Sequence, residues 1–484
     1  MNPISKAISK YRNLSVPVKA AVWYTICNVL QKGIAFLAVP IYVRLLTTGE
    51  YGRYMVFQSW RDALIIVATL NLYGGIFTKV MVDDPQGRDR FTSCVQGLST
   101  LATLGFLLIY LVAPDFWNGI LDMPTPTVLL MLGYFLCVPS FLYWTVRQRV
   151  EYRYKRMVAV TLVVSVLIPV FSILLLKVTQ LRENAVIWGY LIIQIAVGAF
   201  FYVQNLFRGK CVFDREIWQR ALRYNLPLIP HYLSMIVLGQ ADRIMIKEIC
   251  GEDKAGIYSL AYSVSLLLTV ISTAIQSSLT PWMYEKLRQK DHEPIRRTVT
   301  GLGALTAILT VGIMLVAPEI VYILGTAEYA QAVWVIPAVA IGVFFTFCYG
   351  MYANIEFYYS ATGLVMIAST LGAVLNILLN ALLIPRFGFI AAGYTTLASY
   401  FFLLVLHCVF ARLICKKYMD GAKVINTASI GLMSAGLLVA MGICLTLYTW
   451  DLARYAVLAV LLVAGLVMSR RILPVVKRLL RLSK

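Results

Sequence analysis

Charge is scarce in this sequence. Only 14% of the 484 residues are Asp, Glu, Lys or Arg, and 60% are apolar. A soluble domain carries about 25% charged residues, so this chain has too little polar surface to coat a water-soluble globule. Apolar runs of about 20 residues recur throughout, and each is long enough to cross a bilayer as a helix. The runs are continuously apolar and do not alternate between apolar and polar residues, as the strands of a membrane β-barrel would. They therefore predict an all-α, polytopic membrane protein.

Acidic residues are scarcer than basic ones, with 23 Asp and Glu against 43 Lys and Arg and a formal net charge of +20. A basic balance can indicate binding to nucleic acid. Here the basic residues lie mainly in the connections between apolar runs, as membrane topology requires. We therefore expect no nucleic-acid partner.

Residues and motifs for catalysis are also missing. The sequence has three widely separated His, no H-E-x-x-H, no G-x-x-x-x-G-K-[ST] loop and no G-x-G-x-x-G after a strand. The nine Cys are scattered and form no C-x-x-C pair, so neither disulfides nor zinc sites are expected. We predict that the protein is not an enzyme and uses no cofactor or metal. Any work would be driven by an ion gradient, the membrane potential or the substrate gradient.

The apolar runs predict about fourteen transmembrane helices. We place them at 20–43, 54–77, 93–113, 127–147, 157–177, 185–207, 227–247, 256–281, 298–317, 331–350, 363–384, 389–411, 425–448 and 455–472. Most Lys and Arg lie in the N-terminal segment, the even-numbered connections and the C-terminal tail. The positive-inside rule then predicts that both termini are cytoplasmic.

A repeated stretch predicts two similar halves. PIYVRLLTTGEYGRY (Pro40 to Tyr54) matches IMIKEICGEDKAGIY (Ile244 to Tyr258) at an offset of about 204 residues. Both have an apolar helix end, a basic residue, a short acidic turn, then Gly and Tyr. We predict an N-terminal lobe at 1–207 (helices 1–6), a cytoplasmic linker at 208–226, a C-terminal lobe at 227–411 (helices 7–12), and helices 13–14 with a basic tail at 412–484. The linker looks amphipathic and is expected to lie on the membrane surface.

Charged residues inside predicted spans are the first candidates for a site, since a charge at mid-bilayer costs about 2.5–3.5 kcal/mol. Lys32 lies roughly 18 Å deep in helix 1, on one face with Asn28. Arg61 and Asp62 lie in helix 2. Adjacent residues point about 100° apart, so these two are not expected to pair with each other, although an interhelical ion pair remains an alternative. Glu356 lies in a connection that has no Lys or Arg.

The second predicted half adds further candidates. Asp242 and Arg243 lie one or two turns from the outer end of helix 7. At this position they could bind substrate or form an ion pair at the outer rim of the cavity. Helix 8 carries a polar stripe at i+3/i+4 spacing, made of Tyr258, Tyr262, Ser265, Thr269, Ser272 and Gln276. We favour a hydrated cavity wall for this stripe, with a helix contact held by hydroxyls as the alternative. Since Lys32, Arg61 and Arg243 outnumber Asp62 and Asp242, we expect a cationic cavity and an anionic substrate that carries phosphate.

The repeated turn, the segment RYNLPLIPHYLSMIVLGQADRIMIKEICGEDKAGIYSLAYSVS and the stretch NILLNALLIPRFGFIAAGYTTLASY resemble polysaccharide flippases of the Wzx type, in the multidrug/oligosaccharidyl-lipid/polysaccharide exporter superfamily. The resemblance covers the whole chain. It implies two pseudo-symmetric six-helix lobes with two C-terminal helices, in a bacterial cytoplasmic (inner) membrane. It also implies alternating access that moves an undecaprenyl-pyrophosphate-linked oligosaccharide to the periplasmic leaflet, for O-antigen, capsule or exopolysaccharide.

The resemblance matches Lys32, Arg61 and Arg243 by helix with basic residues thought to hold the pyrophosphate in such families. Asp62, Asp242 and Glu356 are candidates for coupling to protons or sodium. A polysaccharide polymerase and a chain-length regulator are candidate partner proteins, beside the lipid-linked oligosaccharide and membrane lipid. The alternatives are an ion-coupled multidrug exporter of the same superfamily, a membrane-embedded polymerase or glycosyltransferase, and a scaffold that transports nothing.

Overall fold

The computed structural model describes residues 15–460, and all regular secondary structure within them is helical. The all-α class predicted from composition is confirmed. The chain divides into two compact units, with the boundary between Val237 and Leu238. The predicted limits of the lobes and the linker stay predictions.

Unit 1 begins with a long helix that has Pro17 in its first turn, where a missing N–H costs nothing. Its helices are α1 (Val16–Leu45), α2 (Thr48–Ala68), α3 (Ile76–Asp83), α4 (Arg88–Val112), α5 (Pro114–Leu121), α6 (Thr125–Val150), α7 (Tyr154–Val178), α8 (Glu183–Gly209) and α9 (Arg215–Asn225). A 3₁₀ turn at Leu226–Leu228 follows α9.

Unit 2 begins within α10, which carries the chain across the boundary between the units. Its helices are α10 (Ile229–Cys250), α11 (Glu252–Arg288), α12 (His292–Leu315), α13 (Ala317–Leu324), α14 (Ile336–Tyr358), α15 (Thr362–Phe387), α16 (Ile390–Tyr418) and α17 (Thr427–Leu447). A 3₁₀ segment at Ala327–Trp334 precedes α14, and residues 451–460 are again helical. The last predicted span, 455–472, lies mostly outside the described residues.

The two units repeat one order of elements. In unit 1, α4 is followed by the short α5 and then α6; in unit 2, α12 is followed by the short α13 and then α14. Both short helices begin at an Ala-Pro pair followed by an acid, Asp115 in one and Glu319 in the other. The main packing also repeats, because α6 packs on α8 as α14 packs on α16, and α7 packs on α8 as α15 packs on α16. The pseudo-symmetry predicted from the repeated turn is therefore present in the folded chain.

Eleven helices in residues 15–460 are long and apolar enough to cross a membrane. They coincide with predicted spans 1, 3–6 and 8–13. The helices at predicted spans 2 and 7, α2 and α10, are not among the eleven. These are the helices that carry Arg61 and Asp62, and Asp242 and Arg243. The chain is thus a multi-pass membrane protein, and four of its six candidate charges lie on these two helices.

The second predicted span is interrupted in the structure. We expected a continuous helix over 54–77, but α2 ends at Ala68 and the chain turns before α3. Leu70, Asn71 and Gly75 have positive φ, a conformation that glycine adopts without strain. Asn225, buried at the end of α9, donates to the Asn71 carbonyl at 2.9 Å and accepts from the Ile76 N–H at 3.3 Å. These bonds satisfy backbone groups that the broken helix exposes, as a buried break requires.

The predicted linker forms α9, and its apolar side packs on protein. Ala221 is fully buried, and Ile217, Trp218 and Leu222 pack against a cluster formed by α3, α4 and their neighbours. The Trp218 indole N–H donates to the Cys94 carbonyl at 2.8 Å. The amphipathic pattern is therefore used mainly to dock α9 on unit 1, and its basic face stays exposed.

The expectation that disulfides are absent was wrong. Cys94, in α4, is bonded to Cys211, just before α9. Spacing could not predict this pair, because the 117 intervening residues bring the two cysteines together only in the folded unit. No cluster of potential metal ligands was found among residues 15–460.

Candidate functional site: buried charges in the two units

In unit 1, Arg61 lies at the centre of a polar and aromatic cluster. It is 7% exposed, and its Nε and Nη2 donate to Asp62 Oδ1 at 2.9 and 2.6 Å. The expectation that these neighbours do not pair was wrong, because the long arginine side chain bends back over the shorter aspartate. The guanidinium also lies over the ring of Tyr190 at 4.5 Å and near that of Tyr134 at 5.9 Å. Stacking of this kind stabilises a desolvated cation.

Asp62 is more accessible than its partner, with 30% of its side chain exposed. The pair therefore presents a carboxylate edge to solvent or to a ligand while the guanidinium stays between two rings. A phosphate could displace the carboxylate, since Arg binds either group with the same planar donor fork. A phosphate on a ligand could thus replace the Asp62 carboxylate as the anion bound to Arg61.

In unit 2, Asp242 is a fully enclosed carboxylate. It is 1% exposed and accepts hydrogen bonds from Tyr258 Oη at 2.5 Å, Thr396 Oγ1 at 2.6 Å and Asn380 Nδ2 at 2.7 Å. The donors come from α11, α16 and α15. Three neutral donors therefore hold the carboxylate inside the unit, and its expected position near the outer rim stays a prediction. Asn380 also donates to Asn376 at 3.3 Å.

Arg243 follows Asp242 but points to different partners. It donates to the Gly239 carbonyl at 3.2 Å and to the Gln240 side chain, and its guanidinium lies over the Tyr262 ring at 4.7 Å. No carboxylate among the described residues lies within ion-pair distance of it, and its Nε is buried without a hydrogen-bond partner. Arg243 therefore retains both charge and donor capacity for an anionic group.

Lys32 is half-buried and makes no ion pair within residues 15–460, whereas Asn28 is exposed. The neighbouring Gln31 donates to Ser165 of α7 at 3.2 Å. Arg61 and Lys32 thus supply unit 1 with one paired and one unpaired cation. Whether they meet one ligand stays a prediction.

The stripe on α11 is divided by burial. Tyr258, Ser265 and Ser272 are buried, and neither serine hydroxyl has a hydrogen-bond partner among the described residues. Tyr262, Thr269 and Gln276 are only partly buried. Part of the stripe therefore packs inside unit 2, and both a cavity wall and a helix contact held by hydroxyls stay predictions.

Glu356 was expected in a connection, but it lies within α14 because that helix continues to Tyr358, and it forms a second buried acidic site. It is fully buried in α14, and its Oε1 lies 2.9 Å from Nδ1 of His407 in α16. The Tyr349 ring stacks on the imidazole with centroids 5.2 Å apart. The other carboxylate oxygen, Oε2, has no hydrogen-bond partner among the described residues. A carboxylate and an imidazole are therefore in direct contact inside unit 2.

Several of these partners were not found from the sequence. Tyr134, Tyr190, Asn380, Thr396 and His407 all lie in apolar spans, and each contacts a charge on another helix. A Tyr or Asn inside a membrane helix is a signal, because such groups seek partners. The partner itself depends on how helices pack, which periodicity does not give.

A family model described as "Polysaccharide biosynthesis protein" matches residues 18–286, and a model described as "MatE" matches residues 227–382. A protein named "Probable low-salt glycan biosynthesis flippase Agl15" from Haloferax volcanii is 21% identical, covering 80% of this chain and 82% of its own. "Lsg locus putative protein 1" from Haemophilus influenzae is 23% identical, covering 74% of this chain and 89% of its own.

Solved structures share the fold. "Lipid II flippase MurJ, inward closed conformation" aligns with a TM-score of 0.63 at 14% identity, covering 93% of this chain and all of its own. An outward-facing multidrug resistance MATE transporter of the MOP superfamily aligns with a TM-score of 0.60 at 14% identity, covering 84% of this chain and 97% of its own. At these identities the similarity establishes the fold alone.

Proposed function

This chain belongs to the polysaccharide biosynthesis protein family, and we propose that it is a flippase for a lipid-linked oligosaccharide. The cargo would be a repeat unit carried on undecaprenyl pyrophosphate, and it would move from the cytoplasmic to the periplasmic leaflet of a bacterial inner membrane, with both termini of the protein in the cytoplasm. The product would serve O-antigen, capsule or exopolysaccharide synthesis. The protein would move its cargo without chemical change.

The observation that carries this proposal is a buried arginine stacked on tyrosine in each unit, Arg61 on Tyr190 and Arg243 on Tyr262. Phosphate is a natural ligand for such groups because guanidinium donors match its oxygens. Tyrosine offers both a ring and a hydroxyl for sugars. The flippase named among the relatives of this chain acts, by its name, in glycan biosynthesis.

We assign ion coupling to Asp242 or Glu356 in preference to Asp62. Asp62 already neutralises Arg61, whereas Asp242 meets only neutral donors and Glu356 meets His407. A buried carboxylate of this kind can bind a proton or a cation and change the charge of its unit. Flipping measured under imposed proton or sodium gradients, in wild type and in Asp242→Asn, tests the assignment. If flipping by both Asp242→Asn and Glu356→Gln depends on the gradient as it does in wild type, the assignment of ion coupling to these acids is wrong.

The main experiment reconstitutes the full chain in vesicles that contain a fluorescent undecaprenyl-pyrophosphate oligosaccharide. Movement of label between leaflets is followed by a quencher added outside. We expect wild type to flip the label and Arg61→Ala and Arg243→Ala each to slow it by about tenfold or more, since a hydrogen bond to a charged group contributes roughly 1.5–3 kcal/mol. Lys32→Ala is expected to slow it less.

Arg386→Ala is the matched control, because Arg386 is exposed near the end of α15. It should flip at the wild-type rate. Wild-type rates in both Arg61→Ala and Arg243→Ala, at equal protein levels, would reject the arginine sites. Absence of flipping by wild type would reject the function itself.

A multidrug exporter is the second candidate, favoured by the MatE model over residues 227–382 and by the MATE fold. An exporter of organic cations is expected to present acids to its cargo. Here Asp62 is held by Arg61, and Asp242 is enclosed by neutral donors. Efflux of a cationic dye from the same vesicles distinguishes the two candidates, since only the exporter predicts it.

A further inference from the structure

A cationic cavity lies at one end of unit 2, near the Glu356–His407 pair. It has a volume of about 480 Å³ and lies among the ends of α14 and α16, the segment 421–426 and the starts of α12 and α17. Three of its lining residues are basic, Arg296, Arg412 and Lys423, and none is acidic. We propose that this cavity binds the phosphate headgroup of an anionic membrane phospholipid.

The basic side chains at the cavity are only partly neutralised. Arg296 pairs with Glu293, but Glu293 is shared with Arg297 at 2.7 Å. Arg412 and Lys423 are exposed, and neither meets a carboxylate within the described chain. The first residues of α17, Thr427 and Ala428, also line the cavity, so the positive end of that helix dipole adds to the potential. The cavity therefore favours an anion.

The floor of the cavity is apolar and firmly packed. Ile355, Ala411, Cys415, Val424 and Ile425 line it and are all buried. A free inorganic anion would gain nothing from such a floor, whereas the glycerol and first acyl carbons of a phospholipid would bury apolar surface there. The combination of a basic rim and an apolar floor indicates an amphipathic ligand.

The position of the cavity fits a lipid headgroup. The cavity lies where two apolar helices meet the segment 421–426, on the side that the positive-inside rule predicts to be cytoplasmic. Exposed apolar side chains, Leu413 and Tyr418, lie on the same helix end, where acyl chains would contact them. Basic pockets at such helix ends bind anionic lipid headgroups in membrane proteins generally. This site is independent of the flippase proposal, because it needs no oligosaccharide.

The test titrates the purified full-length chain with phosphatidylglycerol and with phosphatidylcholine and counts bound lipids by native mass spectrometry. We expect one phosphatidylglycerol to bind wild type preferentially. Arg412→Gln/Lys423→Gln should weaken that binding by roughly thirtyfold, since each cation contributes about 1 kcal/mol near anionic lipid and 1.4 kcal/mol is a factor of ten. Arg412→Lys/Lys423→Arg keeps the charges and should keep binding.

Lys416→Gln/Lys417→Gln is the matched control. It removes the same charge from the same helix end, but neither residue lines the cavity. Equal weakening in the control and in Arg412→Gln/Lys423→Gln would mean diffuse surface attraction and overturn the site. Competition by millimolar inorganic phosphate or pyrophosphate as effective as that by phosphatidylglycerol would overturn the lipid assignment. Since no oligosaccharide is present, failure here leaves the flippase proposal untouched.

Discussion

The turn between the first two helices is built from different residues in the two units. In unit 1, Thr47 caps α2 and Glu50 completes a capping box. About 204 residues later, Gly251 precedes α11 with φ +93° and no side-chain cap. Seven residues on from each cap lies a tyrosine: Tyr54, which packs against Tyr42 and Tyr51, and Tyr258, which donates to Asp242. Turns at equivalent positions thus support apolar packing in one unit and a buried acid in the other.

The adjacent acid and arginine of each unit also differ between the two units. Unit 1 carries its acid and arginine on its second helix, α2, where they pair with each other. Unit 2 carries them on its first helix, α10, where the acid and the arginine have separate partners. A paired site is close to neutral until a ligand displaces the acid. A separated site keeps an arginine that is ready for an anion. The comparison teaches that one repeated scaffold can hold two electrostatically distinct sites.

The largest expected effect is a difference in stability between variants of the two acids, Asp242 and Asp62. Asp242→Ala leaves Tyr258, Asn380 and Thr396 as buried donors without an acceptor, so the free energy of unfolding should fall by about 3–5 kcal/mol. Asp62→Ala should cost about 1–2 kcal/mol less than that, because Asp62 is partly exposed and Arg61 keeps its contact with Tyr190. Denaturation of both variants in detergent measures the difference. Equal losses would contradict the distinction between an enclosed acid and an accessible one.

The repeated tyrosines give the next test. Tyr258→Phe removes a hydrogen bond to a charged acceptor and should cost roughly 1.5–3 kcal/mol. Tyr54→Phe should be nearly neutral, since the contacts of Tyr54 with Tyr42 and Tyr51 are ring contacts that Phe keeps. The two variants are each other's control, because they make the same chemical change at equivalent positions. A comparable cost at both positions would show that Tyr54 also makes an essential hydrogen bond.

Alanine should be less stable than glycine at both caps, but for different physical reasons. Gly251→Ala forces a side chain into a backbone region that only glycine readily adopts and should cost about 1–3 kcal/mol. Thr47→Ala loses a cap and should cost about 1 kcal/mol, whereas Thr47→Gly should cost only a few tenths. Melting temperatures of the three variants test this order. A neutral Gly251→Ala would mean that the turn in unit 2 is not constrained by its φ.

The sequence predicts the span pattern well because apolar length is a local property, and the turn repeat because its Gly and Tyr spacing is preserved. It missed the break after Ala68, although Gly74 and Gly75 are a local signal for a turn. It missed the Cys94–Cys211 bond and the donors around Asp242, since these depend on which helices pack together. The burial of Asp242 could not be predicted from its position along α10, because burial is set by α11, α15 and α16.

The smallest effect concerns pH at the two turns. Burial alone would raise the pKa of Glu50, but bonds from Arg182 and Thr47 and the Arg182 charge lower it below the ordinary value. Because the folded pKa is lower than the unfolded one, the stabilisation from Glu50 is complete above the unfolded pKa of about 4.3. It is lost as pH falls through the folded pKa.

Glu50→Gln should therefore lower the melting temperature at neutral pH, by the equivalent of at most about 1 kcal/mol for a partly exposed ion pair. The gap to wild type should close on acidification below about pH 4. At the equivalent position Lys254 donates to Gln331 at 2.8 Å, a contact that involves no carboxylate. Lys254→Gln should keep a constant gap to wild type across the same pH values. A constant gap for Glu50→Gln as well would mean that the ion pair with Arg182 adds nothing, and that the capping bonds alone hold the turn in unit 1.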